Sequence, residues 1–143
     1  MRVVLDTNVL LSGLISDRGA PPRLLDAWRE ERFDLVSSEE QLAEVRAVTR
    51  RDALRALVTP SEVGRFVNDL RLDAMILDRL PRLDRSSDPA DNFLLAMAEA
   101  GEAQFLVSGD RRGVLDLKTH GPTRIVRARE LLEILKLPPI EPR

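Results

Sequence analysis

Cysteine is missing from the 143-residue chain. That excludes a disulfide framework and any thiolate metal site, and it suits a reducing compartment. A single histidine, His120, leaves almost no nitrogen donors for a zinc-type centre. No apolar run approaches the roughly 18 residues that would span a bilayer, so no membrane segment is expected. Asp6 and Asn8 interrupt the short apolar start at once, so no secretory signal is expected either, and the reading is cytoplasmic. An excess of positive charge is also lacking. With a net charge of -2 the chain is not one that coats nucleic acid through a bulk field, and any polyanion contact must be local. Every basic residue except Lys118 and Lys136 is an arginine. This is open to a reading as guanidinium recognition of phosphate, but GC-rich codon usage is the simpler one.

What is present is an ordinary globular composition, 43% hydrophobic and 32% charged, in a length that suits one compact domain. Short apolar runs at residues 3–5, 33–36, 74–77, 104–107 and 124–126 read as strands. Helical stretches fall between them. Pro21 and Pro22 occupy the first positions of one, and Ser38 with Gln41 has the pattern of a capping box at the start of another. Pro60 and Ser61 begin a further helix toward Leu72. Asp88 is placed as an N-cap with Pro89 at the first helical position, and Gly101 ends that helix. A last helix is expected over 128–137, followed by an extended tail over 138–143 that holds three prolines. Strands separated by helices imply crossover connections. The expected fold is therefore α/β, a three-layer α/β/α sandwich with a central, mainly parallel sheet. Ligands in such folds collect beyond the carboxyl ends of the strands.

Asp6 ends the first strand and Asp110 follows the strand containing Leu106 by a few positions, so both belong to one sheet edge. Glu44 sits at the rim of the helix face made by Leu42, Val45 and Val48. Asp91 shares a stripe with Leu94, Leu95 and Ala98, which points it toward the sheet. Four converging acids repel one another, and a divalent cation resolves the conflict. Oxygen-only donors favour magnesium or manganese, and such ions suit phosphodiester hydrolysis. Each acid also has a plainer role: Asp6 as a helix cap, Glu44 as a solvated residue, Asp91 as an answer to the helix dipole, Asp110 as a turn residue.

The stretches Val4-Leu5-Asp6-Thr7-Asn8-Val9-Leu10, Leu42-Ala43-Glu44-Val45, Asp88-Pro89-Ala90-Asp91-Asn92-Phe93-Leu94 and Leu106-Val107-Ser108-Gly109-Asp110 occur in this order. The set resembles the PIN-domain family over nearly the whole chain, in particular the bacterial, VapC-like branch of toxins from toxin–antitoxin pairs. The resemblance implies an endoribonuclease domain over 1–137, with Mg2+ or Mn2+ held by Asp6, Glu44, Asp91 and Asp110. It assigns Asn8 and Ser108 as supporting polar residues. It also implies RNA as substrate, a small antitoxin protein as partner, and a homodimer. Many relatives carry a further acid just after the fourth carboxylate, where this chain has Arg111, Arg112 and Gly113, so one tightly held ion is expected. Arg111 and Arg112 are open to two readings, a phosphate grip or a solvated pair.

A haloacid-dehalogenase-type phosphatase would need a second aspartate where Asn8 stands. A receiver domain would need paired acids near the first strand and a late lysine after a suitable strand, which Lys118 and Lys136 do not provide. The remaining alternative is a catalytically weak PIN-like module that binds RNA or protein. Retention of all four acids favours the enzyme.

Overall fold

The computed structural model describes residues 1–109 and 113–137, so Asp110, Arg111, Arg112 and the tail over 138–143 lie outside the described residues. Six strands, β1 (Arg2–Leu5), β2 (Asp34–Ser38), β3 (Met75–Leu77), β4 (Phe105–Val107), β5 (Thr119–His120) and β6 (Thr123–Val126), form one sheet in the order β3-β2-β1-β4-β6-β5. All pairings are parallel except the β5–β6 hairpin. The connections carry α1 (Thr7–Ile15) and α2 (Ala20–Arg29), then α3 (Glu39–Thr49), α4 (Asp52–Arg55) and α5 (Pro60–Asp73), then α6 (Pro89–Ala100), α7 (Val114–Leu117) and finally α8 (Ala128–Ile134). No helix among the described residues is long and apolar enough to cross a membrane.

The strand period of two sorts the core into two layers. Val3, Leu5, Leu35, Phe105, Val107 and Val126 face one side, where they pack with residues of α1, α2, α3, α5 and α8. Val4, Val36, Leu106 and Ile125 face the other, against Leu94, Leu95, Met97 and Ala98 of α6 and Val114 of α7. The expected three-layer sandwich is thus present, and Val3 to Leu5 of β1 and the whole of β4 are apolar because both faces are covered there. The chain leaves β1 toward the first layer and enters β4 from the second. The carboxyl ends of these neighbouring strands therefore open a crevice where the winding direction changes.

Several boundaries differ from those the sequence suggests. The second strand starts at Asp34, not Phe33, and continues through Ser38, because Ser37 and Ser38 are buried and paired with β3. The last helix stops at Ile134, short of Leu137. Lys136 takes a left-handed φ of 57°, and the Leu137 N–H turns back to the Leu132 carbonyl at 3.0 Å, closing the helix end. The elements α4, α7 and β5 have four, four and two residues, too few to show a period.

Candidate active site

The site begins where β1 ends. The Asp6 N–H donates to the Val107 carbonyl at 2.9 Å, which carries the β1–β4 ladder one residue past the strand, and the chain then turns into α1. Asp6 caps that helix, as the plainer reading of this residue holds: its Oδ1 accepts the Asn8 backbone N–H at 3.0 Å. Its Oδ2 accepts the hydroxyl of Ser108, a fully buried residue just beyond β4, at 3.1 Å. Capping and cleft lining are compatible here because the two oxygens point to different partners.

Glu44 comes from the second turn of α3, keeps an exposed flank, and lines the same cleft. Partial burial pushes its carboxyl above the ordinary value, and the charge of Asp6 pushes it further the same way. A hydrogen bond from Thr7 and the positive charge of Arg51 act in the opposite direction and are the smaller influences. Asp91 comes from the first turn of α6 and is only 5% exposed. Its stripe, shared with Leu94, Leu95 and Ala98, is buried against the sheet, so the helical spacing read in the sequence does set its direction. The Ser86 hydroxyl donates to Asp91 Oδ2 at 3.0 Å.

Asp6, Asn8, Glu44 and Asp91, together with Asp88, Phe93 and other neighbours, line one cleft of about 430 Å³. Ser108 stands behind Asp6 rather than in the lining. Asp110, Arg111 and Arg112 fall outside the described residues, although the adjoining Gly109 is at the cleft wall. Among the described residues no three acidic or histidine side chains form by themselves a group that could hold a metal ion. In donor chemistry the lining suits a hard divalent cation. The acids contribute oxygen only, and the charge of Asp6 opposes the ionisation of Glu44, which a cation between them would relieve.

A layer of polar residues that sequence reasoning passed over holds this arrangement in place. Gln41 does not complete a capping box. Ser38 accepts the Gln41 backbone N–H at 3.1 Å, but the Gln41 side chain turns inward, fully buried. It donates to the Leu5 carbonyl at 2.8 Å and reaches Thr7 Oγ1 at 3.4 Å, while its own oxygen accepts the Ser37 hydroxyl at 2.6 Å. The β1–β2 register ends at Val4–Val36, and Gln41 takes the next carbonyl of β1, fixing the backbone just before Asp6. On the other side, Asn92 Oδ1 accepts the N–H groups of Arg85 and Ser86 at 3.1 and 2.8 Å, and its amide donates to the Ser86 carbonyl at 2.8 Å. This clamp shapes the loop that presents Ser86 to Asp91. The signal for Asn92 was its place beside Asp91. Gln41, three residues before Glu44, gave only a helix-start signal, because its target lies on a distant strand.

A family profile described as the PIN domain matches residues 2–112, whereas no curated protein matches the chain. PIN domains are generally metal-dependent nucleases and typically bind nucleic acid. The matched span takes in β1, α3, α6 and β4, the four elements whose ends or faces build the cleft. By this match over most of its length, with the sheet and crevice that accompany it, the chain belongs to the PIN domain family.

Proposed function

We propose that this protein is an endoribonuclease that hydrolyses RNA phosphodiester bonds with the help of Mg2+ or Mn2+, and that it serves as the toxin of a toxin–antitoxin pair. The observation that carries the catalytic reading is the gathering of Asp6, Glu44 and Asp91, from three separate elements, in one cleft beyond the strand ends. These three acids and Asp110 are the residues that would hold the ion. The bound ion supplies charge stabilisation at the phosphate and a more acidic water. The chain's own residues set the geometry. Ser108 and the α1 cap orient Asp6, Ser86 orients Asp91, and Thr7 orients Glu44. Phe93 and Leu94 give the cleft an apolar wall that keeps water from one flank. Asn8, exposed at the mouth, is placed to meet substrate. Arg111 and Arg112 are proposed as phosphate contacts. The biological unit is proposed to be a homodimer held inactive by a small antitoxin that fills the acidic cleft.

The test is cleavage of a labelled RNA with added Mg2+ or Mn2+, with chelator, and with Asp6→Asn. Cleavage that needs the ion and drops at least a hundredfold in the variant supports the proposal. Equal cleavage in chelator sinks it, and RNA binding without any cleavage moves the protein to the binding-module alternative.

A further inference from the structure

A second concavity, of about 490 Å³, lies between the end of α3, α4 and the start of α5. Its rim carries Arg46, Arg50 and Arg55, its floor is formed by Val58 and Val63, and no acid lines it. Residues 46–65 hold five arginines against Asp52 and Glu62, in a chain whose overall charge is negative. None of Arg46, Arg50, Arg51 or Arg55 forms an ion pair with a described residue, whereas Arg71, at the other end of α5, is spent on Glu39 in a two-pronged bridge at 2.6 and 2.9 Å. Positive charge gathered in a concave, low-dielectric surface, with no ion pair to these four arginines among the described residues, makes a local field for an anion. The guanidinium fork suits phosphate oxygens in particular.

The groove and the acidic cleft share α3, whose length contributes Arg46 and Thr49 to the one and Glu44 to the other. Glu44 and Arg50 lie six residues apart along α3 and its C-cap, about 9 Å at the helical rise of about 1.5 Å per residue. A single-stranded backbone spans such a distance within a few nucleotides. We infer that this arginine groove binds backbone phosphates of an RNA strand a few nucleotides from the point where the acidic cleft would cut it. The inference rests on the nuclease reading for the choice of occupant. Between RNA and an acidic polypeptide, the adjoining cleft favours RNA, because one strand can occupy both sites. Backbone contacts of this kind set affinity and register without reading sequence.

The experiment measures binding, not cleavage. A short labelled single-stranded RNA is titrated with the full chain in chelator at about 50 to 200 mM salt, for the parent, Arg50→Gln/Arg55→Gln, Gly64→Glu and, as a control, Arg129→Gln on α8. Each lost contact flattens the slope of log affinity against log salt by about 0.7. Over that range the parent should therefore lose about sevenfold more affinity than the double variant. A Cβ at Gly64, also in the lining, meets nothing within 4 Å, so Gly64→Glu places a negative charge in the groove without crowding the fold. It should weaken binding without lowering the melting temperature, while Gly64→Ala and Arg129→Gln keep the parent's slope. A double variant with the parent's slope overturns the inference. So does displacement of a polyglutamate probe, but not of RNA, by these substitutions, which identifies an acidic polypeptide as occupant. If the slopes differ as expected but the parent cuts no RNA with metal present, the nuclease reading fails and the groove stands.

Discussion

Replacing Gln41 by methionine keeps the volume of a fully buried side chain but removes its amide. The Ser37 hydroxyl, 2.6 Å from the Gln41 oxygen, and the Leu5 carbonyl, 2.8 Å from its nitrogen, then lose their partner. A buried polar group left unsatisfied costs about 1–3 kcal/mol, so two of them predict a loss of about 2–6 kcal/mol. On a chain of this size that is a fall in Tm of about 6–18 °C. The double variant Ser37→Ala/Gln41→Met removes both members of one hydrogen bond and should cost about 1 kcal/mol less than the two single changes added together. The assay is thermal unfolding followed by circular dichroism, with ion-dependent RNA cleavage measured on the same samples at a temperature where every variant is folded. Because Gln41 fixes the backbone before Asp6, cleavage should fall even there. A Gln41→Met protein that melts within 2 °C of the parent, or strict additivity with Ser37→Ala, would refute the view that this amide anchors the end of β1.

The pH dependence of stability should carry the mark of Glu44. Its raised folded value means that its favourable contribution is complete below the ordinary 4.5 and is lost as pH climbs through the folded value. In chelator, the Tm of Glu44→Gln minus that of the parent should therefore grow from pH 4 to pH 7, and a difference that shrinks contradicts the assignment. Two glycine substitutions should go in opposite directions. A Cβ on Gly101 would meet Val36 Cγ1 at 2.6 Å and the Met97 carbonyl at 3.1 Å, with Val36 wholly buried, so Gly101→Ala should destabilise by about 1–3 kcal/mol in urea unfolding. Gly64→Ala, on an open helix face, should stabilise by about 0.5–1 kcal/mol.

The fold class was legible because buried parallel strands are written as short, continuous apolar runs, such as Val3 to Leu5 with Asp6 at the end. The start of α6 was legible for a local reason: Asp88 does cap it, its Oδ1 accepting the Ala90 N–H at 2.9 Å, with Pro89 in the first turn. The Thr59-x-x-Glu62 capping box of α5 is a local signal of the same kind, set around Pro60 at the start of the helix. Long-range pairings were not legible. Gln41 shows the limit, since a residue that matches a helix-start pattern spends its side chain on a strand 36 positions away. The same holds for Ser86, whose bond to Asp91 depends on a loop shaped by Asn92. For the site, helical spacing gave the direction of Asp91, and the strand end gave Asp6. The exposure of Glu44 leaves it at the rim, where spacing put it, and the groove of Arg46, Arg50 and Arg55 needed three elements to come together before it could be seen.

The central claim is that Asp6, Glu44, Asp91 and Asp110 act together to hold a hard divalent ion. Thermal unfolding in a magnesium or manganese titration tests it without knowledge of the true RNA. An ion that binds the folded chain alone stabilises it by RT ln(1 + [L]/Kd), about 2.7 kcal/mol at a hundredfold excess over Kd, or about 8 °C on a chain of this size. The account predicts that shift for the parent and only a small fraction of it for Asp6→Asn and Asp91→Asn, with at least one of these variants melting above the parent when no ion is present. Equal shifts in parent and variants would contradict it.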